Sequence, residues 1–81
     1  MPYIKPTQRD RLLVGEYPSA NAGELNYKLT ELIMEYLNTN GKDYQHINDI
    51  LGALEGAKLE FYRRVVVPYE EIKREENGDV Y

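Results

Sequence analysis

Eighty-one residues, with ten basic against fourteen acidic side chains and a net charge of −4, make a small acidic chain. That balance excludes indiscriminate binding to DNA or RNA, which needs a basic surface to release counterions. The absence of cysteine excludes disulfides and thiolate metal sites, and one histidine leaves no zinc-binding set.

A chain of this length stands near the lower limit for a self-sufficient core. A single helical domain, residues 1–81, completed by homo-oligomerisation is therefore the expectation. No apolar run approaches the roughly 20 residues that span a bilayer. Met1-Pro2-Tyr3 does not begin a signal peptide, so a cytoplasmic protein with no membrane contact is expected.

Residues 1–6 read as extended, because Pro2 and Pro6 disfavour helix in the residues before them. Thr7 is a candidate N-cap for a short helix from Gln8 to about Val14, with Gly15 closing it. Glu16 to Asn21, with Pro18 and Ser19, forms a loop that ends in a cap. The first long helix is expected from Ala22 to Asn38. Leu25, Leu29, Leu32, Ile33 and Tyr36 follow the helical repeat, and Glu24 complements the dipole.

Gly41 ends that segment, and Asp43 is a candidate N-cap for a second long helix, Tyr44 to about Val67. Two long helices around a short polar loop predict an antiparallel hairpin, so the fold class is all-α. Pro68 kinks or restarts the helix, Tyr69 to Glu76 forms a short charged one, and Asn77-Gly78 stops it. Gly52 and Gly56 share one side of the second long helix. Two glycines in adjacent turns, each costing on the order of 1 kcal/mol against alanine, predict a close helix crossing.

The chemistry concentrates in the second half. Ile47, Leu51, Leu54, Phe61 and Val65 mark one helical face, and Lys58 falls within it. Lys58 either snorkels, with Glu55 one turn away as an ion-pair partner, or points into a subunit interface to meet an anion. Tyr62-Arg63-Arg64, followed by Tyr69 and Lys73, combines guanidinium forks for phosphate or carboxylate with rings that stack on planar ligands. Glu60, Glu70 and Glu71 are near enough to neutralise those arginines instead.

Asn26 sits at the margin of the first long helix's apolar face, where its amide needs a partner; a bond to the second helix is expected ahead of ligand contact. Tyr27 belongs to a tyrosine-rich set, eight against one Phe and no Trp. His46 reads as a surface residue. The Glu70-Glu71 and Glu75-Glu76 pairs read as a solvated face, because no apolar pocket separates their pKa values. Asn77-Gly78-Asp79 is too short for a calcium loop, and the chain has neither a Gly-rich phosphate loop nor a nucleophile elbow. Neither enzymatic activity nor a cofactor or metal is expected.

Met1-Pro2-Tyr3-Ile4, Glu24-Leu25-Asn26-Tyr27, Phe61-Tyr62-Arg63-Arg64-Val65, Pro68-Tyr69-Glu70 and Glu76-Asn77-Gly78-Asp79-Val80-Tyr81 together resemble a small uncharacterised family of short bacteriophage and prokaryotic proteins. The resemblance spans essentially the whole chain and brings no catalytic residues. It implies a phage or prophage setting, in which compact proteins bind something the host makes, either a protein or a nucleotide signal. The leading expectation is a non-enzymatic module that sequesters a small anionic, nucleotide-like ligand between subunits. Lys58, Tyr62, Arg63, Arg64, Tyr69, Tyr27 and Asn26 are its candidate residues. The competing expectation is a module that docks on a host or phage protein and regulates it.

Overall fold

The computed structural model describes residues 3–13 and 18–81, apart from the side chains of 11–13. Every regular element within that range is helical: α1 Pro6–Leu13, α2 Ala22–Asn40, α3 Tyr44–Phe61, a π-helical turn Tyr62–Val66, and α4 Val67–Asn77. The chain divides into two compact units, Met1–Ile47 and Asn48–Tyr81.

In the first unit, α1 packs on α2. The first helix starts earlier than the Thr7 cap predicts. Pro6 takes the first helical position, where its missing N–H costs nothing, and Gln8 Oε1 accepts from the Lys5 N–H at 3.0 Å. That bond is half of a capping box, and it moves the cap from Thr7 to Lys5. The expected closure at Gly15 falls outside the described residues.

α2 begins as the sequence requires: Asn21 is extended and its Oδ1 accepts from the Glu24 N–H at 3.0 Å. It runs two residues beyond Asn38 and stops at Gly41, whose φ of 103° suits glycine and whose N–H donates to Leu37 O at 2.8 Å. Asp43 then caps α3, its Oδ1 accepting from the His46 N–H at 2.9 Å.

Within the second unit, no described residue packs closely on Gly52 or Gly56, where the sequence predicts a helix crossing. A Cβ built on either glycine meets nothing within 4 Å. The helix also passes through Pro68 without stopping. Proline has no N–H for the carbonyl four residues back and its ring crowds that carbonyl, which here belongs to Arg64. The π turn accommodates this by widening the ladder just before the proline, so that the Val67 N–H reaches Tyr62 O, five residues back. α4 ends at Asn77, where Gly78 has φ 88° and donates to Arg74 O at 2.8 Å.

The second unit is one run of helix with a short tail. From Leu51 to Tyr81 every residue except the half-buried Val66 is exposed, including Leu51, Phe61, Tyr62, Val65, Tyr69 and Ile72. No helix among the described residues is long and apolar enough to cross a membrane.

Candidate functional site

The basic segment of the second unit is organised around Glu60. Its Oε1 accepts from Arg63 Nη2 and from Arg64 Nε, each at 2.8 Å, because residues three and four apart are neighbours on a helix. Two guanidinium groups thus share one carboxylate oxygen. The cluster keeps a residual charge of +1, and the remaining N–H groups of both forks face solvent. One turn before it, Lys58 Nζ stands 3.7 Å from Glu55 Oε1 with 72 % of the lysine side chain exposed. The ion-pair reading of Lys58 therefore describes its geometry. Around it, Leu51, Leu54 and Phe61 are exposed.

Tyr62 and Phe61 flank the arginines as exposed rings, and Tyr69 lies just beyond the π turn with Lys73 Nζ 5.6 Å from its ring centroid. Lys73 also pairs with Glu76 at 3.4 Å, and Arg74 with Glu71 at 2.6 Å and Asp79 at 3.8 Å. All five cations of this unit are thus held by carboxylates on the same chain, and only the Glu60 pair of arginines exceeds its acid one to one. Exposed pairs of this kind each contribute about 0.2–1 kcal/mol, so an incoming phosphate can displace them. The tail and α4 enclose an open recess of about 350 Å³ lined by the carboxylates Glu70, Glu71 and Asp79, the cations Lys73 and Arg74, and Asn77 and Tyr81. Its carboxylates outnumber its cations, and Glu71 and Asp79 pair with Arg74, which leaves no surplus positive charge for an anion.

Asn26 and Tyr27 belong to the first unit. The Asn26 Oδ1 accepts from Thr30 Oγ1 at 3.4 Å, and the same hydroxyl bonds Asn26 O at 2.9 Å. The amide oxygen finds a partner one turn along α2. Partial cover raises the Tyr27 phenol above its ordinary pKa of 10.0. The Glu31 carboxylate, which repels the phenolate and accepts its hydrogen bond, adds to the shift.

Two residues carry more structure than the sequence suggests. Glu24 is 1 % exposed; its Oε2 accepts from Gln8 Nε2 at 2.8 Å and its Oε1 from the Ala20 N–H at 3.0 Å. It ties α1, the loop and the start of α2 to one another, beyond the dipole role its position implies. His46 is 24 % exposed, not a free surface residue. Its Nδ1 lies 2.9 Å from Gly41 O and 3.0 Å from Asp43 Oδ1, and its ring meets Tyr36 edge-on at 6.1 Å. With two oxygens facing Nδ1, that nitrogen carries the proton. Among the described residues no group of three His, Cys, Asp or Glu side chains is placed to hold a metal ion.

Comparison with known proteins adds one positive finding. The family model described as a domain of unknown function, DUF6899, matches residues 1–80, so the chain belongs to that family. No curated protein and no solved structure matches it.

Proposed function

We propose that this DUF6899 member is a non-enzymatic binding module, a single helical domain whose assembled copies hold a small anionic, nucleotide-like ligand. The observation that carries the reading is the Arg63–Glu60–Arg64 arrangement, two guanidinium groups on one carboxylate oxygen beside the exposed Tyr62 ring. A phosphate meeting that surface finds a net positive charge and free N–H forks, and a planar ring finds a stacking partner.

The same unit supports assembly. A helix exposed at every residue but Val66 from Leu51 to Asn77 lacks the tertiary burial from which protein helices draw most of their stability. In this reading α2 and α3 turn back on each other as a hairpin and further copies cover the remaining apolar side chains. The ligand then sits between chains, since an 81-residue chain has little room for a deep pocket of its own. Lys58, Arg63 and Arg64 contact its phosphates, Tyr62 or Tyr69 stacks on its ring, and Asn26 and Tyr27 join from a neighbouring surface. The module works without a cofactor, in the cytoplasm, which is the host's if a phage encodes it.

Calorimetric titration with mono-, di- and cyclic nucleotides tests the reading. Lys58→Ala and Arg63→Ala should each weaken binding by at least about tenfold, as expected for a lost charge-assisted phosphate contact, while the oligomer stays folded. Unchanged affinity in both variants would remove the assignment.

A second reading, a module that docks on a host or phage protein, draws on the exposed Leu51, Leu54, Phe61, Val65 and Ile72, since an uncovered apolar helix is also a groove-binding element. A partner protein recovered at one-to-one stoichiometry, with no nucleotide bound, would favour it.

A further inference from the structure

The dipeptide Asn-Gly occurs twice, at Asn40-Gly41 and Asn77-Gly78, and each time it ends a helix. The backbone is closely alike at the two sites. Gly41 has φ 103° and ψ 152°, Gly78 has φ 88° and ψ 153°, and each glycine N–H donates to the carbonyl four residues back at 2.8 Å. At an Asn-Gly step the asparagine amide is open to attack by the next backbone nitrogen, because glycine carries no Cβ to obstruct the approach. The two sites differ in what holds them.

Asn40-Gly41 is fixed from both sides. Asn40 Nδ2 donates to Tyr36 O at 2.9 Å, so the amide cannot swing over the Gly41 nitrogen without losing that bond. The Gly41 carbonyl accepts from His46 Nδ1 at 2.9 Å, and Asp43 caps α3 two residues later. Asn77 makes no side-chain hydrogen bond among the described residues, and residues 77–81 are exposed. Beyond Gly78, the Tyr81 N–H donates to Asp79 Oδ1 at 2.9 Å, and Asp79 stands 3.8 Å from Arg74, an exposed pair of the kind that contributes little.

We infer that Asn77-Gly78 is a site of spontaneous covalent modification, at which the Asn77 amide closes onto the Gly78 nitrogen, while the same dipeptide at Asn40-Gly41 resists. The Gly78 nitrogen gives up its proton and forms a bond to Asn77 Cγ. The bond from Cγ to Nδ2 breaks, and that nitrogen leaves as ammonia with the proton. Water then opens the five-membered succinimide at either of its carbonyls. Opening at Cγ leaves aspartate, and opening at the backbone carbonyl of residue 77 leaves isoaspartate. Water is the sole co-reactant, and nothing is oxidised or reduced. The fold opposes the step through the Gly78 N–H bond to Arg74 O, which is released whenever the exposed last turn of α4 frays. The product places a carboxylate at the negative end of the helix dipole, beside Glu76 and Asp79. In the iso form the backbone also runs through the side-chain carbon, so the Gly78 cap is lost.

Incubation of the full chain at mildly alkaline pH, followed by peptide mapping with mass spectrometry and isoaspartate detection, tests the inference. Asn77 should convert to aspartate and isoaspartate at least about fivefold faster than Asn40, since two more hydrogen bonds hold the latter site. In urea that unfolds the chain, the two rates should converge. His46→Ala frees the Gly41 carbonyl, and should speed conversion at Asn40 while leaving Asn77 unchanged. Equal rates in the folded chain, a difference that persists in urea, or an Asn40 rate indifferent to His46→Ala would overturn the inference.

Discussion

Glu24→Ala offers the sharpest test of the first unit. The wild-type carboxylate accepts from Gln8 Nε2 at 2.8 Å and from the Ala20 N–H at 3.0 Å, while 99 % shielded from solvent. Hydrogen bonds to a charged group contribute about 1.5–3 kcal/mol each. Losing both should therefore cost about 3–6 kcal/mol, a large part of the ~5–15 kcal/mol typical of a whole domain. Glu24→Gln keeps one good acceptor and should cost about half as much. Gln8→Ala removes one of these bonds and should cost about 1.5–3 kcal/mol. Urea unfolding monitored by hydrogen exchange at the first amides of α2 reads the first unit separately from the second. A Glu24→Ala cost below about 0.5 kcal/mol would refute the account of Glu24 as the tie between α1 and α2.

Gly52→Ala and Gly56→Ala should each stabilise the helix by about 1 kcal/mol, because a Cβ at either position meets nothing; a lower melting temperature would reveal a close contact made by another chain. The Tyr27 phenol should ionise above the ordinary tyrosine value in an ultraviolet titration, and Glu31→Gln should bring it down by removing the negative charge. Its raised pKa means that the fold holds the proton. The associated stability is complete below the ordinary tyrosine range and is lost as pH rises through the shifted value, so Tyr27→Phe should flatten the alkaline limb of the stability profile. His46→Ala removes the Nδ1–H bond to Gly41 O and the contact with Tyr36, and should cost about 1–2 kcal/mol in thermal unfolding of the first unit.

Local chemistry was legible in the sequence where neighbours in the chain set it. Asn21 and Asp43 cap their helices because each carries a short side-chain oxygen at the right offset. Gly41 and Gly78 end theirs because each takes a positive φ. The Lys58–Glu55 and Arg–Glu60 pairs follow directly from spacings of three and four.

Features that depend on distant or competing groups were harder to read. The Gln8–Glu24 bond joins residues sixteen apart, and no periodicity signals it. The helix passes Pro68 because a π turn resolves the clash locally, and residue propensity does not distinguish that outcome from a break. The apolar stripe of α3 is real in spacing, but spacing does not say whether the chain itself covers it. In the structure Leu51, Leu54, Phe61 and Val65 remain open. The candidate cluster at residues 58–69 was therefore legible as a set of residues, whereas its exposure and the sharing of Glu60 required coordinates.

The most direct test of the central claim is a native mass spectrum of the purified protein beside the same sample denatured. The account predicts a multimer carrying a few hundred daltons of bound mass that vanish on denaturation, or a bare multimer that gains such mass when nucleotide is added. A monomer that takes up nothing at any nucleotide tested would contradict it.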